Sequence, residues 1–383
     1  MTTTLPPPSS PSPSHNDSTS TDRDQASACA LRRIVGSLGS SRRQNHASKP
    51  ALGRLPHPSQ ERLDASLHER SIDLDNVTSP ELELAEEKGK TVLYLAYGSN
   101  LCNETFRERR GIKPLSQINV QVPSLRLTFD LPGIPYTEPC FANTALRDPS
   151  STADYHKDRW HKGLIGCVYE VSPSDYAHII ATEGGGSAYK DVLVTCYPLP
   201  DDCDTVPTTP ETTAFKAHTL FAPVADDDDD DDAVRAAQRF SRPDPSYAQP
   251  SARYLKLLTD GADELSLPSE YKSYLHQIRA YRITTARQGI AQKLMLATVL
   301  PILVMLFGLS ERFQDDKGRV PKWLSVLSGA VFAGIWGSYD GVWKGVFGDG
   351  ERTEGEGGDD EGEDGEKRGW FGGRRREDGG CGV

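Results

Sequence analysis

The pattern of apolar and polar positions divides the chain into unlike stretches. Residues 1–88 are rich in Ser, Thr and Pro and show no sustained periodicity, so they are expected to be disordered. The first strong pattern is "TVLYLAYGSNL", in which strand-favouring residues from Val92 to Tyr97 stop abruptly at Gly98-Ser99-Asn100. From there to Tyr281 short β runs mix with amphipathic stretches. "INVQVPSLRLTFDL", "KGLIGCVYEV", "YKDVLVTCYPL" and "AFKAHTLFA" read as strands. Regular βα alternation is scarce, which favours a mixed, partly closed sheet with helices over a doubly wound one. One domain over 89–282 is expected, interrupted by a Pro- and Asp-rich loop at about 225–249.

After Gln288 the pattern changes again. Leu294–Leu309 and Trp323–Tyr339 carry no charge, and each is at the short edge of what spans a bilayer. A charged connector separates them, so residues 290–347 are expected to form a two-helix membrane hairpin. Gly329, Gly334 and Gly337 would suit close helix approach. Arg279, Arg282, Arg287 and Lys293 precede the first segment and favour a cytosolic flank. The expectation is a membrane-anchored chain with its domain facing the cytosol, the alternative being a soluble cytoplasmic protein. Residues 348–383 read as a disordered acidic, Gly-rich tail.

Charge and cysteine narrow the classes further. The net charge of −12 comes largely from Asp226–Asp232 and the Glu351–Glu366 tract, so a nucleic-acid partner is not expected. The aspartate run lacks the glycine and spaced oxygens of a calcium loop. Seven cysteines form no CxxC pair, which argues against a zinc site or a disulfide framework. Asp17, Asp22 and Asp24 precede the basic N-terminal stretch and argue against organelle import.

Candidate chemistry lies in two places. Ser172, Pro173 and Asp175 mark a helix start, and Tyr176, Ile179 and Ile180 form a face whose next position is Glu183. Gly184-Gly185-Gly186 then stops the helix. A glutamate there is partly desolvated and sits at the negative end of the helix dipole; both effects raise its pKa toward neutrality, where general acid–base work is done. A solvent-exposed or Arg-paired glutamate is the plainer alternative. In the second place, the Gly98-Ser99 turn leads into "NETFRERRG", with Asn103 a candidate cap and Gly111 past the end. It presents backbone N–H groups at a strand-to-helix junction, although a tight turn without function has the same form.

"LAYGSNL", then "TEGGGSAY", then "PSARYLKLLTDGADELSLPSEYKSYL" resemble, in that order, the motif blocks of the γ-glutamylcyclotransferase family. The resemblance covers Thr91–Tyr281. It implies an α+β fold, a small mixed β-barrel with packed helices, to which the C-terminal hydrophobic helical hairpin is added. It also implies a reaction in which the α-amine of a γ-glutamyl compound attacks its own γ-carbonyl, giving 5-oxoproline and a free amine. No cofactor or metal is implied. By resemblance Glu183 is the acid–base carboxylate, Tyr97, Gly98, Ser99, Asn100 and Leu101 cradle the substrate, and Tyr254 lines the pocket. Tyr189 is expected to pack. Tyr-Gly-Ser-Asn, in place of the Tyr-Gly-Ser-Leu of the glutathione-specific branch, leans the chain toward the amino-acid branch. The expected partners are a small γ-glutamyl molecule and membrane lipid; the leaving amine and the oligomeric state stay open. A non-catalytic membrane adaptor with the same fold is the rival reading.

Overall fold

The computed structural model describes residues 54–71, 85, 87–148, 160–182, 190–201, 203–221, 242, 247–313 and 321–355. Glu183, Tyr189, the aspartate run and the distal tail lie outside the described residues. Among the described residues there are seven strands: β1 (Val92–Ala96), β2 (Ser116–Val122), β3 (Leu125–Ile134), β4 (Glu138–Leu146), β5 (Leu164–Val171), β6 (Lys190–Pro198) and β7 (Phe215–Phe221). Five close into a barrel in the order β1-β5-β2-β6-β7, while β3 and β4 form a separate ribbon. The barrel is mixed because β7 meets β1 parallel, at Tyr94 and His218, and the other pairs are antiparallel.

Alternation along the strands explains the closure. Leu93 and Leu95 of β1, Val120 of β2, Val168 of β5, Cys196 of β6 and Ala217 of β7 fill the barrel interior. The intervening Val92, Tyr94 and Ala96 pack under helices on the outside. β1 is therefore buried on both faces, which is why it reads as an unbroken apolar run. Gly166 of β5 lets the strands meet there, since a Cβ would stand 2.4 Å from the Ala96 carbonyl oxygen.

Part of the N-terminal region read as disordered is folded. Helix α1 (Gln60–Ser66), capped by Ser59 Oγ, pushes Leu63 into the barrel-interior cluster. Arg62 holds Thr91 Oγ1 and the Thr91 carbonyl, and Ser66 Oγ accepts the Lys216 amide. The segment carries too few apolar residues to show a periodicity, yet the one leucine that matters finds an open barrel end.

Outside the barrel, α2 (Pro173–Thr182) begins as its sequence indicates, with Ser172 Oγ accepting the Asp175 amide and Tyr176 and Ile179 buried. Helices α3 (Ala252–Glu264) and α4 (Ser269–Gln277) pack on the same side. Helix α5 (Ala286–Phe313) and helix α6 (Lys322–Ser338) then form an antiparallel pair. Only α5, among the described residues, is long and apolar enough to cross a membrane; α6 is shorter. Gly334 and Gly337 do not bring the helices together, because a Cβ at either would meet nothing within 4 Å.

The helical pair is docked on the ribbon rather than hanging from a linker. Tyr136, at the β3–β4 tip, is fully buried among Ala291, Met295 and Tyr339. Its amide donates to the Gly350 carbonyl, its hydroxyl to the Gly348 carbonyl, and its carbonyl accepts Gln292 Nε2. Residues 349–355, assigned by sequence to the tail, form a strap over this junction. Asp349 accepts the hydroxyls of Tyr247 and Tyr339 and the amides of Glu351 and Arg352, and Arg242 grips both Glu351 and Asp340.

Candidate active site

The turn after β1 is built by what packs on it. Ser99–Leu101 make one 3₁₀ turn and Glu104–Arg109 a π-helical stretch, which ends before Gly111 at φ +72° as its sequence indicates. Leu101 is fully buried, and Asn100 spends its side-chain N–H on the Tyr94 hydroxyl at 2.8 Å. These two residues anchor the turn, while Tyr97, Gly98 and Ser99 are partly exposed. Asn103 makes no side-chain cap; its own amide is taken by Glu264 Oε2 at 2.8 Å. The amides of Leu101 and Cys102 go to the carbonyls of Gly98 and Ser99. The Leu101 and Cys102 amides are thereby spent within the turn.

Helix α3 is the clamp. Tyr254, Leu258, Gly261 and Leu265 recur at helical spacing and are buried on one face. Gly261 allows backbone contact with the turn, since a Cβ would lie 2.5 Å from Leu101 C and 2.6 Å from Cys102 N. Tyr254, 6% exposed, accepts the Ala142 amide of β4 at 3.1 Å, and its hydroxyl lies 3.3 Å from where a Cβ of residue 98 would be. A Cβ at residue 98 would be tight against the Tyr254 hydroxyl and in ordinary contact, at 3.5 Å, with Ala142 Cβ. Phe141 packs edge-on against the Tyr254 ring at 5.1 Å, so the ribbon walls one side of the turn. Neither the ribbon residues nor Glu264 were singled out from sequence; the glycine within the otherwise helical "LKLLTDGADEL" was the available signal.

Cys102 adjoins the turn and is buried. Burial, and then the Glu264 carboxylate, push its thiol up to about 11, so the thiolate is scarce at neutral pH. No group of three or more His, Cys, Asp or Glu with metal-site geometry occurs among the described residues.

Strand registers set which chain ends meet the turn. β1 and β7 run parallel, and Lys190, the first residue of β6, is opposite Phe221, the last of β7. Tyr97 Oη reaches the Leu220 carbonyl at 3.4 Å. The turn, the end of β7 and the start of β6 therefore share one rim. Helix α2 starts beyond Val171, which pairs with Val92 at the opposite rim, and passes Tyr94 by way of Tyr176. It thus runs toward the turn, and Glu183 follows its last described residue, Thr182.

No protein-family model matches the sequence. Among curated proteins, the chain is 32% identical over 255 residues to the gamma-glutamyl cyclotransferase gliK of Aspergillus fumigatus, covering 65% of this chain and 85% of that one. The chain belongs to the gamma-glutamyl cyclotransferase family. The gamma-glutamyl cyclotransferase aclK of Aspergillus oryzae is 29% identical over 262 residues, covering 66% of this chain and 88% of its own length. These alignments exceed the half of the chain that residues 89–282 make up, so the likeness extends into at least one flank. Among solved structures, a protein named gamma-glutamyl cyclotransferase aligns with 53% of this chain and 99% of its own at 18% identity and a TM-score of 0.35. An uncharacterized human protein aligns similarly, at 19% and 0.34. The family assignment rests on the sequence relatives.

Proposed function

We propose that this gamma-glutamyl cyclotransferase releases 5-oxoproline and a free amine from a γ-glutamyl compound, with Glu183 as its acid–base. The observation that carries the reading is the common rim: the turn clamped by Tyr254 lies at the barrel end where β6 begins and toward which α2 runs. Glu183 takes a proton from the substrate ammonium, and the freed amine attacks the γ-carbonyl carbon to form the ring C–N bond. The bond to the leaving nitrogen then breaks as Glu183 protonates it. Every proton shed by the attacking nitrogen reaches the departing one, so the carboxylate ends as it began and no water is consumed. The Gly98 and Ser99 amides hold the γ-glutamyl oxygens, which makes ring closure an oriented intramolecular step.

The test is turnover of γ-glutamyl-alanine and of glutathione by the full chain, with 5-oxoproline as the readout. Glu183→Gln is expected to lower kcat by about 10²–10⁴-fold, the worth of a general acid–base. Wild-type turnover in that variant removes Glu183 from the mechanism, and glutamate in place of 5-oxoproline makes the enzyme a hydrolase.

The α5–α6 pair is read as a hairpin that anchors the barrel on the cytosolic side of a membrane. Supporting it, only 28% of the most apolar 18 residues of α5 are buried, while Ile302, Met305 and Phe307 are exposed. Full-length protein should resist carbonate extraction from membranes. Ile302→Asp with Phe307→Asp should release it, because such charges cost roughly 3 kcal/mol each at a bilayer centre.

A further inference from the structure

A buried polar cluster lies behind the candidate site and has no part in the chemistry above. Tyr176 of α2 donates its hydroxyl to Asp191 Oδ1 of β6. Asp191, whose side chain is wholly buried, also faces His218 Nδ1 of β7 at 2.9 Å from both carboxylate oxygens. On its other side His218 Nε2 meets Glu69 Oε2 at 3.3 Å, and Glu69 is paired with Arg62 of α1 at 2.9 Å. The Tyr176 ring stands 5.7 Å from the imidazole and 6.0 Å from the ring of Tyr94, which is the register partner of His218 and accepts Asn100 of the turn.

The position of this cluster in the chain gives it a use. Tyr176 is two helical turns before Glu183, and Asp191 is the second residue of β6, eight after it. Their hydrogen bond therefore joins two elements between which Glu183 lies in sequence. A fully buried acceptor, shielded from competing water, makes this bond stronger than an exposed one. We infer that Tyr176, Asp191 and His218 are positioning residues that tie α2 to the start of β6, the two elements that flank Glu183 in the chain. The inference rests on Glu183 being the acid–base of the proposed reaction.

His218 completes the tie. Burial alone would lower its pKa, but the hydrogen bonds and charges of Asp191 and Glu69 outweigh it and raise it to about 9. The imidazolium thus stands between two carboxyl groups, Asp191 on one side and Glu69 on the other. The groups facing it are Asp191, Glu69 and the rings of Tyr176 and Tyr94.

The experiment uses full-length protein. Tyr176→Phe keeps the ring and removes only the hydroxyl; kcat for γ-glutamyl-alanine should fall about tenfold with KM within twofold. Glu69→Gln removes one of the two carboxylates that hold the proton on His218. The alkaline limb of kcat against pH should then move to lower pH, a shift that a packing role does not produce and that substrate titration, common to both enzymes, cannot explain. Hydrogen exchange adds a readout independent of turnover: amides of residues 177–192 should exchange about tenfold faster in Tyr176→Phe while β2 and β5 are unchanged. If exchange over 177–192 is the same as in wild type, or if kcat of Tyr176→Phe stays within twofold of wild type while Glu183→Gln is inactive, the tie is overturned and the proposed function stands. If Glu183→Gln turns over normally, it is the proposed function that fails.

Discussion

Gly261→Ala is the sharpest test of how the turn is held, because local and tertiary effects have opposite signs. Within a helix alanine is better than glycine by about 1 kcal/mol, so the substitution would ordinarily stabilise α3. Here the added Cβ would lie 2.5 Å from Leu101 C, 2.6 Å from Cys102 N and 2.7 Å from Leu101 Cβ. Two of these are backbone atoms that no rotamer change can move. To reach an ordinary contact of 3.4 Å the helix must retreat by about 0.9 Å. Overpacking of this kind costs about 1–3 kcal/mol, and more where backbone is struck. Taking the upper part of that range, about 2–3 kcal/mol, because backbone is struck, net destabilisation of about 1–2 kcal/mol is expected after the propensity gain of about 1 kcal/mol. The retreat also lifts Tyr254 from Gly98 and Glu264 from the Asn103 amide, so 5-oxoproline formation should fall at least tenfold. Gly289→Ala in α5 is the control: its Cβ meets nothing within 4 Å, so it should be neutral or stabilising by up to about 1 kcal/mol. Urea unfolding followed by tryptophan fluorescence measures both. A Gly261→Ala protein as stable as wild type, or more so, would refute the clamp.

Three further outcomes follow from the packing. His218 has its folded pKa raised to about 9 from 6.5, so its contribution of about 3 kcal/mol is fully present below pH 6.5 and is lost as pH rises through 9; melting points from pH 6 to 10 should fall over that window and flatten in His218→Gln. Tyr136→Ala removes the ring that plugs the ribbon into the helical pair and should cost about 3–5 kcal/mol of docking, seen as faster proteolysis between Tyr281 and Gln288. Asp349→Ala leaves the Tyr247 and Tyr339 hydroxyls and the Glu351 and Arg352 amides without their acceptor, costing about 2–4 kcal/mol and exposing the strap to protease before the barrel is cut.

The elements visible in the sequence are those whose stabilisation is local or periodic. The β1 run, the strands β2, β3, β5, β6 and β7, the Ser172-Pro173 start of α2 and the apolar run of α5 could all be read because alternation, caps and apolar length are properties of neighbours in the chain. The family could be read as well, since its motif blocks occur in order. β4 could not, because "EPCFANTAL" carries proline and polar residues, and its pairing with β3 is a long-range contact.

Tertiary structure decided what these pieces do together. It folded residues 54–71, where one leucine and a few hydrogen bonds suffice because the barrel end is open to them. Two leucines of β1 went inward and Tyr94 outward, a distinction that an apolar run on both faces does not encode. Helix α3 became a clamp through a glycine whose neighbour is 160 residues earlier, and Asp191, His218 and Tyr176 met from three elements. The turn "YGSN" owes its strand and its glycine to sequence. That it shares a rim with the start of β6 is owed to barrel closure, because only the register of β1, β7 and β6 brings those chain ends together.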